Sequence, residues 1–420
     1  MSTTVKRVGP LWMTLFTLAW LAIWTVQLTP VQLLLPLQLD TQNADGDWIA
    51  GVVWAGVVLS VGGFVGIVAA PLSGRFSDRT RSRWGRRRPW AIGGSLVAAV
   101  GLLLTGFVTG PLAVGAAWIV VSIGVSVASA ALTAMIADQL TEQRGAASAA
   151  ASSAQAVGIV VGVGAVVLLA LSVTDAYLLL AAIIAVVGVG TAVLLPDPPA
   201  HDLPLPAKVR TAGRTSSWRD RDFLWLLTSR LVVNIGNALG TSLLLFFLLY
   251  GVRVPAAAAQ DNLLMLIVIY TVFVVIASIV AGIISDRTGR RRTITVVSAV
   301  IQAVSGLVIL LSPDLVMTSI AAGVMGVGYG AFMAVSLAFA TDLLKDPDDH
   351  ARDLGLVNVS AQLGQLLGPL IGAGLVALVG GFWLLFAAAA LLSLVGAAMT
   401  LSVRSPAPRP GSPEPAPAPR

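Results

Sequence analysis

The chain contains no cysteine among its 420 residues, and charged residues make up only 11% of it. The missing cysteines exclude disulfides and thiolate metal sites. The shortage of charge, together with a mean hydropathy of +0.90, excludes an ordinary soluble domain, whose wet surface needs more polar residues. Aromatic residues account for only 6%, so the hydrophobicity is mainly aliphatic. These shortages indicate an integral membrane protein.

Residues that usually carry chemistry are also scarce. None of the three lysines (Lys6, Lys208 and Lys345) follows a glycine, so the chain has no phosphate-binding loop of the GK[ST] type. Both histidines, His201 and His350, fall in predicted loops. No pattern resembles a catalytic triad or a metal-ligand cluster. We therefore expect neither an enzyme nor an ATP-driven pump, and we expect no metal or cofactor.

Long apolar stretches dominate what is present. A helix needs about 20 apolar residues to cross a bilayer, and these stretches lack the alternation of a membrane β-barrel. The sequence thus predicts an all-α integral membrane protein with twelve transmembrane helices. The predicted spans are 12–37, 48–73, 90–109, 112–137, 146–171, 176–195, 223–250, 262–284, 293–311, 315–340, 354–379 and 382–402.

Basic residues are distributed unequally between the two sides of these spans. If the N-terminus is inside, 24 of the 26 lysines and arginines lie on the inner side. This is the positive-inside pattern, and it predicts that both termini are cytoplasmic. The same placement explains the net charge of +6 without nucleic acid as a partner. Abundant Arg, Ala and Gly favour a bacterial inner membrane.

Two similar basic stretches indicate an internal duplication. The first reads GRFSDRTRSRWGRRRP over Gly74–Pro89, and the second reads GIISDRTGRRR over Gly282–Arg292. The residues that align at an offset of 208 are Gly74, Asp78 and Arg79 with Gly282, Asp286 and Arg287. Repeated six-helix units account for this spacing. The predicted organisation is a six-helix bundle over 1–195, a cytoplasmic linker over 196–222, a second bundle over 223–403 and a Pro-rich tail over 404–420.

With these motifs the chain resembles the major facilitator superfamily, whose loop motif is G-x-x-x-D-[RK]-x-G-[RK]-[RK]. The second copy matches it throughout, and the first is four residues longer and ends in GRRRP, as in sucrose transporters and the related glycoside–pentoside–hexuronide symporters. The resemblance implies two bundles around a cavity, with substrate near the bilayer midplane. It also implies a gating role for Gly85, Arg86 and Arg87 in the first copy and for Gly289, Arg290 and Arg291 in the second.

The resemblance further implies a cytoplasmic latch. We expect Asp78 and Asp286, with their arginine partners, to hold the outward-open state through contacts that exist only while the halves are closed at that end. An Asp78→Asn variant is then expected to favour the inward-open state.

Polar side chains within the spans mark the candidate substrate site, because burying them in lipid is costly. They recur at helical spacing in three segments. Arg230 either binds substrate or gates the cavity, or instead snorkels to the interface and pairs with a loop acid. The tryptophans offer flat apolar faces on which a sugar ring stacks. The candidates are Trp20, Trp24, Gln27, Arg230, Asn234, Asn237, Asn358 and Gln362.

The predicted function is transport of a small polar organic solute, with a sugar or glycoside as the leading class. None of the 20 acidic residues lies well inside a predicted span, so both facilitated diffusion and coupling to a proton or cation stay open. An exporter of drugs or metabolites and a non-transporting receptor are the alternatives. The expected partners are the substrate and the lipid bilayer, and the chain is expected to be monomeric.

Overall fold

The computed structural model describes residues 8–41, 47–140, 143–197, 220–343 and 350–404. Most of the predicted linker and the Pro-rich tail lie outside the described residues. The side chains of residues 41, 350–356 and 358 are also outside them.

Within the described residues, twelve helices are long and apolar enough to cross a membrane, and there is no strand. The predicted fold class is thereby confirmed. The helices are α1 Pro10–Asp40, α2 Trp48–Arg79, α3 Arg88–Phe107, α4 Pro111–Gln139, α5 Arg144–Leu168, α6 Val173–Leu194, α7 Arg221–Ser242, α8 Ala256–Thr288, α9 Arg291–Leu311, α10 Leu315–Leu343, α11 His350–Val379 and α12 Trp383–Leu401.

Pro30 lies inside α1, within the predicted span 12–37. The helix continues there through a π-helical segment, Pro30–Leu34. Proline lacks a donor N–H, and a wide turn accommodates the missing hydrogen bond without ending the helix. In contrast, α7 ends at Ser242, and the chain resumes helical geometry only after Leu243, ending in a π-helical segment, Phe247–Gly251.

Small residues set the spacing between helices. A Cβ atom on Gly124 of α4 would lie 2.3 Å from the backbone nitrogen of Ala98 in α3, and one on Gly364 of α11 would lie 2.4 Å from Cβ of Asn234 in α7. Glycine at these positions permits close helix packing, which contributes strongly to helix association in membranes.

The first half, α1–α6, meets the second half, α7–α12, along α2 and α11. Gly56, Gly63 and Gly74 lie on one face of α2, because 7 and 11 residues are about two and three turns. A Cβ on Gly56 would lie 2.4 Å from that of Ala373, and one on Gly63 would lie 3.2 Å from Leu366. Among the described residues, a Cβ on Gly74 would meet no atom within 4 Å. The described parts of the two helices thus lie further apart toward the end of α2 that carries Gly74.

The second contact between the halves, α5 with α8, diverges in the same direction. A Cβ on Gly164 of α5 would lie 3.9 Å from Leu264 of α8. Gly282 lies on the same face of α8 about five turns further on, and a Cβ there would meet no atom of the described residues within 4 Å. The halves thus separate toward the end that bears the two basic stretches, 75–88 and 287–292, called here the arginine-rich end.

Candidate substrate site and gating clusters

A cluster of amide and phenol groups lies in the second half. The hydroxyl of Tyr329 donates a hydrogen bond of 3.0 Å to Oδ1 of Asn234, and that of Tyr270 donates one of 3.0 Å to Oδ1 of Asn237. The two tyrosine rings stack with centroids 6.4 Å apart. The side chain of Gln365 hydrogen-bonds the Tyr329 hydroxyl. We call these five residues the amide–phenol cluster.

Helix spacing explains part of this cluster. Asn234 and Asn237 were predicted from one face of α7, and both are buried. Tyr270 and Tyr329 were missed, because the residues three and four positions away on either side of each are apolar or glycine, so no periodic polar pattern marks them. The signal that the sequence did offer was the rarity of tyrosine, since the chain has only four.

Arg230 lies one turn from Asn234 and is turned toward α10. It is 2% exposed, and its guanidinium group donates to the Ser336 hydroxyl and lies 3.9 Å from the Met333 sulfur. Its carbonyl oxygen accepts a hydrogen bond from the Asn234 amide. The interpretation that Arg230 snorkels to a loop acid is therefore wrong, since its head group is buried between α7 and α10.

The predicted glutamine of α11, Gln362, borders the space between the halves. Leu366 contacts α2 at Gly63, and its carbonyl oxygen accepts a hydrogen bond of 2.6 Å from Ser60. Gln362 lies one turn nearer the arginine-rich end on about the same face of α11 and is exposed. The other candidate on this helix, Asn358, has its side chain outside the described residues.

The predicted aromatic face of α1 packs mainly within the first half. The rings of Trp20 and Trp24 stack with centroids 5.9 Å apart, and Nε1 of Trp24 donates to the carbonyl oxygen of Ala151 in α5. Trp20 is only 8% exposed, and its Nε1 has no hydrogen-bond partner among the described residues. Gln27 is half-buried one turn beyond Trp24. The structure thus supplies an unused indole donor, and the role of these residues stays a prediction.

A clamp closes the opposite end of the molecule. Trp48 of the first half stacks between Tyr250 and Phe382 of the second, at centroid distances of 4.9 and 5.6 Å. The Tyr250 hydroxyl donates a hydrogen bond of 2.8 Å to the carboxylate of Asp40 in the first half. No sequence pattern marks this four-residue clamp, because its members come from four separate helix ends.

At the arginine-rich end, Arg87 bridges two acids of the first half. Its guanidinium group lies 2.6 Å from Asp78 and 2.7 Å from Asp138, and it also donates to the Ser77 hydroxyl. Burial lowers the pKa of Arg87, but the hydrogen bonds and charges of Asp138 and Asp78 more than offset this and raise the pKa above its usual value. The bridge ties α2, α3 and α4 together.

The second half repeats this arrangement. Arg291 lies 3.5 Å from Asp286 and 2.7 Å from Asp342. Arg87 and Arg291 are 204 positions apart, as are Asp138 and Asp342, which fits the 208-residue repeat once the four-residue insertion in the first copy is subtracted. The two clusters are therefore structural equivalents.

These clusters change the expected partners of the motif acids. Asp78 pairs with Arg87, nine residues along, whereas the neighbouring Arg79 is exposed. Both ion pairs lie within one half, and they are formed while the halves are apart at this end. The expectation that the contacts exist only in the closed state is thus wrong for these pairs. The reason is that the loop after α2 folds back and places Arg87 against its own helix bundle.

The remaining motif residues shape the two loops. Gly85 has a φ of +100°, and a Cβ there would lie 2.1 Å from the carboxylate of Asp197. That carboxylate accepts hydrogen bonds from the backbone N–H groups of Arg87 and Arg88 at the start of α3, where a helix favours negative charge. Arg86 is half-buried beside it.

In the second copy, Gly289 has a φ of +65° and ends α8 in the left-handed conformation. Arg287 and Arg290 are exposed on either side of this turn.

The sequence matches a family model described as the Major Facilitator Superfamily over residues 80–259 and 255–420. The chain belongs to this superfamily, so it is a multi-pass membrane transporter and not an enzyme.

Curated relatives match over short segments only. An uncharacterised symporter of Synechocystis sp., sll1374, is 46% identical over 54 residues, or 12% of this chain and 10% of that protein. A triacylglyceride transporter of Mycolicibacterium smegmatis is 41% identical over 95 residues, or 23% of this chain and 17% of that protein. The chain thus matches less than a fifth of the length of each.

Solved structures agree over nearly the whole chain. The nucleoside transporter NupG superposes with a TM-score of 0.71 at 15% identity, covering 94% of this chain and 99% of that one. A D-xylose–proton symporter superposes with a TM-score of 0.71 at 15% identity, covering 93% and 97%. At this identity the likeness establishes the fold alone.

Proposed function

We propose that this transporter moves a small, uncharged, polyhydroxylated solute, a sugar or glycoside, across the bacterial cytoplasmic membrane by alternating access. The observation that carries the proposal is the amide–phenol cluster. Its five side chains are neutral, and each offers hydrogen-bond donors or acceptors that match hydroxyl groups. Such convergent polar groups in an otherwise apolar environment are typical of small-molecule sites.

The position of the cluster supports this role. Gln365 is exposed, and Tyr270 and Tyr329 are each partly exposed. Gln365 directly precedes Leu366, which contacts α2 at Gly63, so the cluster borders the space between the halves. Within the described residues the cluster contains no carboxylate, which favours a neutral solute over a cation.

The orientation follows from charge. The positive-inside rule assigns the arginine-rich end to the cytoplasm. The conformation described above is then open to the cytoplasm and closed on the outside by the Asp40–Trp48–Tyr250–Phe382 clamp. Substrates named for two structural neighbours, nucleoside and D-xylose, are also rich in hydroxyl groups, which agrees with the proposed class.

The test is uptake of labelled sucrose and maltose into proteoliposomes, with and without an inward proton gradient. Tyr270→Phe and Tyr329→Phe each remove one hydroxyl, and each is expected to weaken transport about fivefold, because a hydrogen bond contributes about 1 kcal/mol. Tyr177→Phe is the matched control, since the buried Tyr177 hydroxyl has no hydrogen-bond partner in the part of the chain that the structure describes.

Uphill uptake driven by the gradient would indicate symport, and equilibrative uptake would indicate a facilitator. Equal loss in all three tyrosine variants would contradict the assignment of the site. Absence of sugar flux, with lowered accumulation of drugs or metabolites in cells, would replace the proposal with the exporter alternative.

A further inference from the structure

An apolar groove lies on the outer surface of the second half. It is a depression of about 260 Å³ between α8, α9 and α10, with almost no polar surface. Alanines form its floor and branched aliphatic side chains form its walls. These residues include Ala277, Ala281, Ala331, Val280, Ile284 and Val297.

A second depression continues the first away from the arginine-rich end. It has a volume of about 290 Å³ and is bounded by Phe273 and Ile320. Val327 lines both depressions. On α8, Phe273 and Val280 are two turns apart and share a face, so the two depressions form one continuous groove.

Two arginines, Arg287 and Arg290, lie where this groove reaches the arginine-rich end. Val280, Ile284 and Arg287 follow one another on α8 at intervals of four and three residues, which places them on one helix face. Arg290, Ile294 and Val297 show the same intervals at the start of α9. Both arginines are exposed, and within the described residues neither guanidinium group forms an ion pair, since Asp286 pairs with Arg291.

The length of the groove matches one leaflet of a bilayer. Phe273 and Arg287 are 14 residues apart on α8, which corresponds to about 21 Å. Half of a bilayer, headgroups included, is about 20–22 Å thick. An acyl chain lying along the apolar part would therefore place its phosphate at the level of the two arginines.

We propose that this groove binds an anionic phospholipid, with one acyl chain between α8, α9 and α10 and the phosphate between Arg287 and Arg290. Basic side chains at the membrane interface attract anionic lipid headgroups, and a groove of small residues retains the chain. The site is independent of the transported solute. It joins the two helices that flank the second loop motif, so a bound lipid would stabilise that turn.

Native mass spectrometry of the purified full-length protein tests this proposal. Delipidated protein is titrated with phosphatidylglycerol and with phosphatidylcholine of identical chains. The wild type is expected to bind one phosphatidylglycerol preferentially. Arg287→Gln with Arg290→Gln is expected to weaken that binding about thirtyfold, since each basic residue near a surface contributes about 1 kcal/mol.

Two further variants separate the headgroup contact from the chain contact. Arg81→Gln with Arg83→Gln removes two exposed arginines from the first loop and is expected to leave binding unchanged. Val297→Phe fills the groove and is expected to weaken binding of both lipids.

Equal affinity for the two lipids, or unchanged binding in the Arg287/Arg290 variant, would overturn the proposal. Displacement of the lipid by millimolar inorganic phosphate would also overturn it, because the acyl chain would then contribute nothing.

Discussion

Arg87 concentrates more interactions than any other charged side chain described above. Its side chain is only 6% exposed, whereas those of Asp78 and Asp138 are 42% and 37% exposed. The arginine fork is suited to bridging two carboxylates, and a lysine cannot reproduce its geometry. The stability of the arginine-rich end of the first half therefore depends on this residue rather than on Arg79.

Replacement of Arg87 by alanine leaves two neighbouring carboxylates without a counter-charge. We expect a loss of about 2 kcal/mol in the free energy of unfolding, less than for a fully buried pair because water screens the two acids. Thermal unfolding in detergent measures this change. Arg87→Lys is expected to fall between wild type and alanine. Arg79→Ala, at an exposed position, is the control, and equal destabilisation by both alanine variants would contradict the assignment.

Helix contacts decide how the two halves close. On α2, close approach to α11 requires glycine at position 56, where a Cβ would lie 2.7 Å from the carbonyl oxygen of Pro369. A backbone atom cannot move aside as a flexible side chain does. The α2–α11 contact is therefore sensitive to a single methyl group.

We expect Gly56→Ala to destabilise this closed contact by about 1–3 kcal/mol, the usual effect of overpacking. The melting temperature in detergent and the transport rate should both fall. Gly93→Ala in α3 is the matched control, since a Cβ there meets no atom within 4 Å and alanine favours a helix. An unchanged melting temperature for Gly56→Ala would show that α2 and α11 can move apart to accommodate the methyl group without loss of stability.

At the scale of the whole molecule, the clamp at one end and the separation at the other end belong to one conformation. Trp48 contributes two ring contacts across the halves, each stabilising by about 0.5–1.5 kcal/mol beyond its buried area. Weakening the clamp destabilises this conformation only, because the other conformation lacks these contacts. The equilibrium should then shift toward the conformation that is closed at the arginine-rich end.

The absence of native cysteine makes this shift directly measurable. Spin labels on Ala137→Cys in the first half and Thr288→Cys in the second report the separation of the arginine-rich end. Trp48→Ala is expected to increase the population with short distances about tenfold. Trp84→Ala, which removes an exposed tryptophan from the first loop, is the control. An unchanged distance distribution in Trp48→Ala would mean that the clamp does not determine the conformation.

The sequence by itself determined the features that depend on local patterns. Hydropathy located the twelve spans, the repeated motif revealed two related halves, and helical spacing found the polar face of Asn234 and Asn237. Each of these signals lies within one segment or recurs along the chain. The membrane reinforces them, because a helix in lipid must satisfy its backbone internally and keep polar side chains away from the lipid.

Only the tertiary structure decided which residues from different segments meet. Tyr270 and Tyr329 reach the two asparagines across 33 and 95 residues of sequence. Arg87, rather than the adjacent Arg79, pairs with Asp78 because the loop after α2 folds back onto its own bundle. The closed end is likewise set by helix packing, since three aromatic rings and one carboxylate at four separate helix ends carry no pattern until the helices bring them together.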